Sequence, residues 1–279
     1  MKKTLGLIAL AVFASACTTT STPPASTATP TAQAGPEVTL TRLDCGSGVN
    51  DPRRFTDTFA YNETTKPFTF SCYVIKHGND YMVWDTGYLP GSVPNATNKP
   101  ITELLAQMNV RPDQVKYVGI SHFHADHTGQ LAPFANATLL IGKGDWDGLN
   151  AKPPMAGANV KGFADWIGTS RKVEPLTADK DVFGDGSVMM LRAPGHTPGH
   201  SILLVRLKEK GPVLLVGDAV HFQENYNTLG VPGFNYDRAQ SIASMQRIKE
   251  IEKNLKATVI IQHDPRHTNK LPAFPTAAR

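Results

Sequence analysis

The sequence predicts an α/β fold in which two β-sheets pack face to face and helices cover their outer faces. Short apolar or β-branched runs occur in two groups along the chain, with helix-compatible stretches between and after them. Several of these runs lack polar alternation, which indicates strands that are buried on both faces. A long amphipathic stretch near the C-terminus predicts a helix that packs against a sheet.

The predicted elements of the folded part begin with strands. Gly78 and Asn79 predict a tight turn between the second and third strands. Residues 101–108 predict a short helix, which ends before Pro112. The predicted strands cover residues 38–43, 68–76, 81–84, 116–120, 138–141, 187–191, 201–207, 213–216 and 258–261.

The clearest helix is predicted over residues 238–255. Asp237 before it and Gln240 three residues later form a capping-box start. Residues 142–168 are rich in glycine and predict a surface excursion over the mouth of a site. The apolar stripe of the long helix consists of Ala239, Ile242, Met245, Ile248, Ile251 and Leu255.

The N-terminus has the features of an export signal over residues 1–16. Its apolar run covers about 18 Å as a helix, too short for the roughly 30 Å hydrocarbon core of a bilayer. Either a signal peptidase cuts after Ala16, or Cys17 is acylated, as in the bacterial lipoproteins whose lipobox this stretch resembles. Residues 17–36, rich in Thr, Ser, Pro and Ala, predict a flexible tether. We therefore expect an exported protein, periplasmic or anchored to the outer membrane as a lipoprotein, with a folded domain over residues 37–279.

The composition excludes several classes of protein. The 28 basic and 24 acidic residues nearly balance, and two of the lysines lie in the predicted signal. The sequence has no basic run or basic-aromatic stripe of the kind that a polynucleotide binder uses, so we expect no nucleic acid partner. A hydrophobic content of 41% excludes a disordered chain.

The three cysteines fit an exported protein. Cys45 and Cys72 lie in the folded part, and they form either a disulfide, which export favours, or two buried free thiols. If they pair, Cys17 is left over, and a lipid anchor gives it a use. Membrane contact is expected only through that anchor, and the sequence predicts no oligomeric state.

Potential metal ligands follow the ends of several predicted strands. His122 and His124 lie two apart in an extended segment, so both point the same way and can hold one ion. Asp126 and His127 lie beyond the bend and can reach a second ion. Five histidines and two aspartates suit two borderline ions bridged by a carboxylate and a hydroxide, with Zn²⁺ expected first and other divalent first-row metals as alternatives. The later ligands of the set are His196, Asp218 and His263.

These residues resemble the His-x-His-x-Asp-His signature and the later ligands of the metallo-β-lactamase superfamily. The resemblance covers nearly all of residues 37–279 and implies an αββα sandwich of two mixed β-sheets flanked by helices. It implies one ion held by His122, His124 and His196, a second held by Asp126, His127 and His263, and Asp218 bridging them.

The resemblance also implies a mechanism and a supporting residue. A hydroxide between the two ions attacks a carbonyl, and Asp126 passes the proton to the departing alkoxide. Asp85, in an Asp-Thr-Gly turn, matches a family position that accepts a hydrogen bond from a ligand.

Within the superfamily, the sequence is most similar to the N-acyl homoserine lactone lactonases, which open the signal lactones of bacterial quorum sensing. Asp218 is an acidic bridge, where many lactam-cleaving members have a Cys or no bridging ligand. Only 16 residues follow His263, too few for the helical domain of the glutathione-thioester hydrolases. The resemblance predicts a small-molecule lactone substrate. The alternatives are a β-lactamase, a broad esterase or organophosphate hydrolase, and a non-catalytic metal-binding lipoprotein, which the complete ligand set disfavours.

One position departs from the lactonase pattern. His221 stands where those lactonases commonly have a Tyr oriented towards the lactone carbonyl. An imidazole can still donate a hydrogen bond there, so His221 is predicted to be catalytic, with Tyr226 as the alternative donor. An aromatic-rich loop either lines an acyl-chain pocket or packs at the sheet edge, and its predicted substrate-binding residues are Phe222, Tyr226 and Phe234.

Three other histidines are assigned outside the ligand set. His200 either supports a metal ligand or packs in the interior. His77 and His267 are predicted to be solvated.

Overall fold

The structure is a computed structural model that describes residues 35–94 and 96–279. The predicted signal, Cys17 and the tether up to residue 34 lie outside the described residues. The strands are β1 (Val38–Asn50), β2 (Lys66–His77), β3 (Asp80–Trp84), β4 (Thr97–Asn98), β5 (Val115–Gly119), β6 (Thr138–Gly142), β7 (Val173–Leu176), β8 (Lys180–Asp181), β9 (Val188–Arg192), β10 (Ser201–Leu207), β11 (Gly211–Leu215) and β12 (Thr258–Ile260). The α-helices are α1 (Ile101–Gln107), α2 (Ala125–Thr128), α3 (Lys143–Asn150), α4 (Gln223–Thr228) and α5 (Arg238–Leu255).

The described strands form two mixed sheets. The larger sheet has the order β4-β1-β2-β3-β5-β6-β7, antiparallel from β4 to β3 and parallel from β3 to β7. The smaller sheet has the order β12-β11-β10-β9-β8, with β12 parallel to β11 and the other pairs antiparallel. The predicted mixed sheets are confirmed.

Three clusters of buried side chains show how the layers pack. The middle cluster joins the facing sides of the two sheets, with Tyr73 and Trp84 from one sheet against Leu203 and Val213 from the other. A second cluster lies under α1 and α3 on the outer face of the larger sheet. A third cluster packs α5 on the outer face of the smaller sheet. The helices therefore cover both sides of the sheet pair, and the predicted αββα sandwich is confirmed.

Strand β1 is longer than its predicted range of residues 38–43. It continues to Asn50 through a register shift between Asp44 and Gly46. Gly46 has φ +149°, and a Cβ there would lie 2.1 Å from the backbone oxygen of Thr97 on β4. Only glycine allows both that backbone conformation and that close approach, so the extension depends on a residue that sequence propensity disfavours in strands.

The middle of the chain differs from its prediction. Residues 142–168 contain α3 and a 3₁₀ turn, and Phe163 and Trp166 are buried in the cluster under the larger sheet. Two large aromatic side chains therefore anchor this segment in the core, while residues 151–154 are exposed and Gly157 lines the cavity described below, so the segment is only in part the predicted surface excursion. By contrast, α5 has its predicted bounds, and the Asp237 side chain accepts a hydrogen bond from the Gln240 backbone amide.

Cys45 on β1 and Cys72 on β2 are joined by a disulfide, and both are fully buried. Free thiols, the alternative left open by the sequence, are absent at these two positions. Among residues 35–94 and 96–279, no helix has the length and apolarity needed to cross a bilayer.

Candidate metal centre and active site

All seven predicted ligands come together at one end of the sheet sandwich. The segment after β5 leads into α2, and three further segments follow β9, β11 and β12. Each begins where a buried strand ends, so the packed sheets hold its backbone in place. The residues that these segments bring together are His122, His124, Asp126, His127, His196, Asp218 and His263.

The seven side chains form two groups that share Asp218. In the first group, Nδ1 of His124 lies 2.8 Å from Nε2 of His122 and 3.0 Å from Nε2 of His196. Oδ2 of Asp218 lies 3.4 Å from Nε2 of His196 and 3.7 Å from Nε2 of His122. Four nitrogen and oxygen ligand atoms thus point at one small volume.

The second group lies on the other side of the Asp218 carboxylate. Oδ1 of Asp218 is 3.1 Å from Nε2 of His127 and 2.8 Å from Nε2 of His263. Oδ2 of Asp126 is 3.4 Å and 3.5 Å from the same two nitrogens. Asp218 is the residue that both groups contain.

The donor atoms fit divalent cations. His127 Nε2, His263 Nε2 and Asp218 Oδ1 are buried and have no hydrogen-bond partner in the described part of the chain. Buried polar atoms without partners are costly, so their convergence requires an explanation. Imidazole nitrogens and carboxylate oxygens in groups of four are the ligands that zinc and neighbouring metals prefer. The residues present therefore fit one cation per group.

The protonation states of the ligand side chains agree with the binding of divalent cations. Burial lowers the pKa of His122 and His196 well below the usual range, which leaves their nitrogens neutral. Burial opposes charge on Asp218, but the imidazoles of His263 and His127 outweigh it and hold the pKa of that carboxyl well below its usual range. The His122 and His196 nitrogens are therefore free to bind a cation, and the Asp218 carboxylate supplies negative charge that a divalent cation can balance.

Hydrogen bonds orient the ligand rings from behind. Nδ1 of His127 lies 2.8 Å from Oδ2 of Asp85, and Nδ1 of His196 lies 2.7 Å from the side-chain oxygen of Asn235. Nδ1 of His263 donates to the backbone oxygen of Thr69 at 2.8 Å. Each bond fixes the ring so that Nε2 points towards the centre.

Asp85 and His200 act on the backbone of the centre as well. Asp85 accepts hydrogen bonds from the Ser121 amide at 2.7 Å and the Ser121 hydroxyl at 2.9 Å, just before His122. Nε2 of His200 accepts a hydrogen bond from the Asp218 amide at 3.1 Å. Of the two roles considered for His200, the structure therefore favours support of a ligand.

A cavity of about 300 Å³ opens directly onto the two groups. Its inner end is polar, with the side chains of Asp126, Asp218 and His221, and its walls are mostly aromatic. A substrate there would place a polar group against the ligand atoms and apolar parts against the rings. The wall and rim consist of Asn50, Arg54, Phe55, Phe68, Phe70, Tyr88, Ala125, Gly157 and Phe234.

Two of the predicted pocket residues lie in this cavity. His221 has its Nε2 atom 3.1 Å from Oδ2 of Asp218, and its ring lies 4.8 Å from that of Phe55. Phe234 is half exposed at the wall, with its ring 5.7 Å from that of Phe55. Both side chains are in position to contact a molecule bound in the cavity.

The predictions for Phe222 and Tyr226 are wrong. Phe222 is fully buried behind the wall, where its ring packs edge-on against Phe55 and Phe68. The Tyr226 hydroxyl donates to Oε2 of Glu252 on α5 at 2.5 Å, away from the cavity. Helix α4 begins directly after Phe222 and turns both side chains away from the cavity, which proximity to His221 in sequence does not reveal.

The prediction of a solvated His267 is also wrong. His267 is buried, its Nδ1 accepts a hydrogen bond from the Ile261 amide at 2.9 Å, and its Nε2 donates to Gln223 at 3.0 Å. Burial lowers the pKa of this imidazole to about 4. His77 is partly exposed and pairs with Asp185 at 2.7 Å.

Two functional candidates, Tyr88 and Asp145, are not predicted from the sequence. Tyr88 lines the cavity and follows the Asp85 turn, and its place directly after a strand end was the available signal. Asp145 is fully buried in the first turn of α3, next to the segments that carry His124 and His196. Burial raises the pKa of the Asp145 carboxyl to about 7.

The αββα fold and the two ligand groups narrow the class of protein, and comparison with known families identifies it. The model of the metallo-beta-lactamase superfamily matches residues 66–263, and the chain belongs to that superfamily.

Similar curated proteins are N-acyl homoserine lactonases. The AttM lactonase of Azorhizobium caulinodans is 33% identical over 162 residues, which are 57% of this chain and 61% of that protein. A lactonase of a Bacillus species is 26% identical over 221 residues, 73% of this chain and 84% of that protein. The match thus spans about three fifths of the AttM protein.

Similar solved structures share the fold. A quorum-quenching N-acyl homoserine lactone lactonase superposes with a TM-score of 0.74 at 22% identity, over 88% of this chain and 99% of that one. AidC, a dizinc quorum-quenching lactonase in complex with a product, superposes with a TM-score of 0.67 at 17% identity, over 88% of this chain and 91% of that one.

Proposed function

We propose that this protein opens the lactone ring of N-acyl homoserine lactones. The observation that carries the proposal is a pair of ligand groups sharing one carboxylate at the end of a cavity with aromatic walls. The curated relatives named N-acyl homoserine lactonase support the choice of substrate. The polar end fits the lactone and the aromatic wall fits an acyl chain.

We propose two divalent cations as the cofactors, with zinc as the first choice. One cation would be held by His122, His124 and His196, and the other by Asp126, His127 and His263. Asp218 would contribute to both sites. When bound, the pair supplies a nucleophilic water at neutral pH and a Lewis acid for the substrate carbonyl. Metal analysis of the purified protein should find two ions per chain, and a chelator should abolish hydrolysis.

The chain itself supplies proton transfer and orientation. The imidazole of His127 outweighs burial and lowers the pKa of the Asp126 carboxyl to about 2, so this side chain is a carboxylate at neutral pH. We infer that this carboxylate takes the proton of the attacking water and delivers it to the departing alkoxide. His221, beside Asp218 in the cavity, is in position to donate a hydrogen bond to the substrate.

Tyr88 is a second donor facing the cavity. The charge of Asp126 and burial raise the pKa of its hydroxyl, which therefore stays protonated. Its ring packs edge-on against Phe70 at 5.0 Å, and its backbone oxygen accepts a hydrogen bond from Gln130 at 2.9 Å. A phenol held in this way is suited to bind an oxygen atom of the substrate.

Substituting Tyr88 by Phe is expected to lower kcat/KM for a lactone about three- to tenfold, the value of one hydrogen bond between neutral groups. The measurement is steady-state hydrolysis at several lactone concentrations. Tyr236→Phe is the matched control, because Tyr236 is exposed and does not line the cavity. Equal kcat/KM values for the two variants would show that the Tyr88 hydroxyl does not contact the substrate.

The test of the substrate compares the hydrolysis of three candidate compounds. The zinc-loaded protein is incubated separately with an N-acyl homoserine lactone, a cephalosporin and a phosphotriester, and products are separated by chromatography. We expect ring-opened acyl homoserine and an intact lactam. Rapid loss of the lactam with an intact lactone would instead identify a β-lactamase, and phosphotriester turnover alone would identify an organophosphate hydrolase.

We also propose that the protein is exported and anchored through Cys17. The support is the N-terminal pattern of residues 1–36 together with the Cys45–Cys72 disulfide, since disulfides persist in oxidising compartments. Fractionation of cells should recover the protein with membranes, and Cys17→Ala should release it into the soluble periplasm. Recovery of both forms from the cytoplasm would contradict export.

A further inference from the structure

Asp145 is a buried carboxylate between two segments that carry predicted ligands. It lies in the first turn of α3, and none of its side chain is exposed. One segment, residues 121–127, follows β5, and the other, residues 194–200, connects β9 to β10. The two segments are far apart in sequence and meet at Asp145.

The carboxylate binds both segments at once. Its Oδ2 atom accepts a hydrogen bond from the Phe123 amide at 3.0 Å and another from the Thr197 hydroxyl at 2.9 Å. Its Oδ1 atom accepts a third from the Gly199 amide at 2.6 Å. Phe123 lies between His122 and His124, and Thr197 follows His196 directly. A single oxygen atom therefore ties the backbone of one ligand segment to the side chain of the other.

Backbone packing at the same place supports this role independently. A Cβ on Gly142 would lie 1.8 Å from the Gly199 oxygen, and a Cβ on Gly199 would lie 2.3 Å from the Asp145 amide. A Cβ on Gly144 would lie 2.7 Å from the Pro198 carbonyl carbon. The start of α3 and the His196 segment are thus in direct backbone contact, which only glycine allows here.

We propose that Asp145 is a positioning residue that sets the distance between His124 and His196 and so shapes the three-histidine group. The proposal rests on the metal binding proposed above. The second group is held differently, because Asp85 contacts His127 and the Thr86 amide donates to the His127 oxygen at 2.7 Å. Asp85 thus contacts a ligand ring of the second group, whereas Asp145 contacts the neighbours of His122, His124 and His196, the three histidines of the first group.

The substitution Asp145→Asn tests this assignment. An amide keeps one acceptor oxygen but turns an NH₂ group towards at least one of the three donors, so one tie between the segments is lost. We expect the affinity of one of the two Co²⁺ binding steps to fall about 10- to 100-fold, with a changed absorption spectrum for that step. The measurement is titration of the metal-free protein with Co²⁺ against a competing chelator, which needs no substrate.

Two variants serve as references. Asp85→Asn should weaken the other binding step more strongly, since Asp85 contacts His127. Asp181→Asn is the matched control, because Asp181 also accepts two backbone amides, those of Gly184 and Gly186, in a turn that carries no ligand. It should leave both steps unchanged.

Specific outcomes overturn the proposal. They are unchanged Co²⁺ affinities in a folded Asp145→Asn protein, or equal weakening of both steps. If Asp145→Asn does not fold, Thr197→Val removes only the hydroxyl tie, and it should weaken the same step about three- to tenfold. Unchanged titration of Thr197→Val would then reject the role. If Asp145→Asn weakens one Co²⁺ binding step as expected but the unsubstituted protein leaves lactones intact, only the proposed function is contradicted.

Discussion

Asp218→Asn is expected to lower kcat/KM for lactone hydrolysis at least about a thousandfold, because it acts on both ligand groups at once. One carboxylate oxygen lies 2.8 Å from His263, and the other lies 3.4 Å from His196. An amide replaces one of these oxygens with an NH₂ group, which cannot bind a cation. Hydrolysis of an acyl homoserine lactone and metal content per chain are the two measurements, and both should fall.

The control for this prediction is Asp147→Asn. Asp147 lies on α3 and forms an exposed ion pair with Lys143, so the same chemical change should leave activity and metal content unchanged. A folded Asp218→Asn protein that retains two ions and normal turnover would reject the shared carboxylate as the link between the groups.

Replacing both Cys45 and Cys72 by Ala is expected to lower the free energy of unfolding by about 3–4 kcal/mol. The disulfide closes a loop with a sequence separation of 27, and both cysteines are fully buried between β1 and β2. Without it the unfolded chain gains conformational freedom, and the melting temperature should fall by about 10 °C for a domain of this size. Thermal unfolding followed by circular dichroism measures the change.

The unsubstituted protein unfolded in the presence of a thiol reductant provides the comparison. It should melt near the temperature of the double Ala variant, because both lack the covalent link. A double variant that melts within about 2 °C of the oxidised protein would show that the disulfide contributes little to stability.

The ligand set is the part of the site that the sequence predicts best. His122, His124 and Asp126 lie two residues apart directly after a buried strand, so the local backbone geometry alone brings their side chains near one another. His196, Asp218 and His263 follow β9, β11 and β12, which run in the same direction and so end at one edge of the smaller sheet. Short-range patterns therefore carry most of this information.

The cavity wall is predicted poorly, for a physical reason. Phe55 precedes β2 and Tyr88 follows β3, yet both side chains line the cavity. The sequence around each of them does not differ from the sequence around an ordinary core residue. For Tyr226 the error is the reverse: its closeness to His221 in sequence predicts a place in the cavity, but its hydroxyl donates a hydrogen bond to Glu252 on α5. Which side of a short helix faces a cavity depends on the packing of its neighbours.

From the chain of residues alone, the layer architecture and the identity of the metal-binding side chains can be derived, because periodicity and strand-end spacing are local properties. The three-dimensional packing determines which side chains can contact a substrate and which residues fix the positions of the metal ligands. Asp145 joins Phe123 to Thr197 and Gly199 only because α3 folds back between their two segments. Such contacts join residues 22 and 54 positions apart, and their geometry is fixed by tertiary packing that no local pattern encodes.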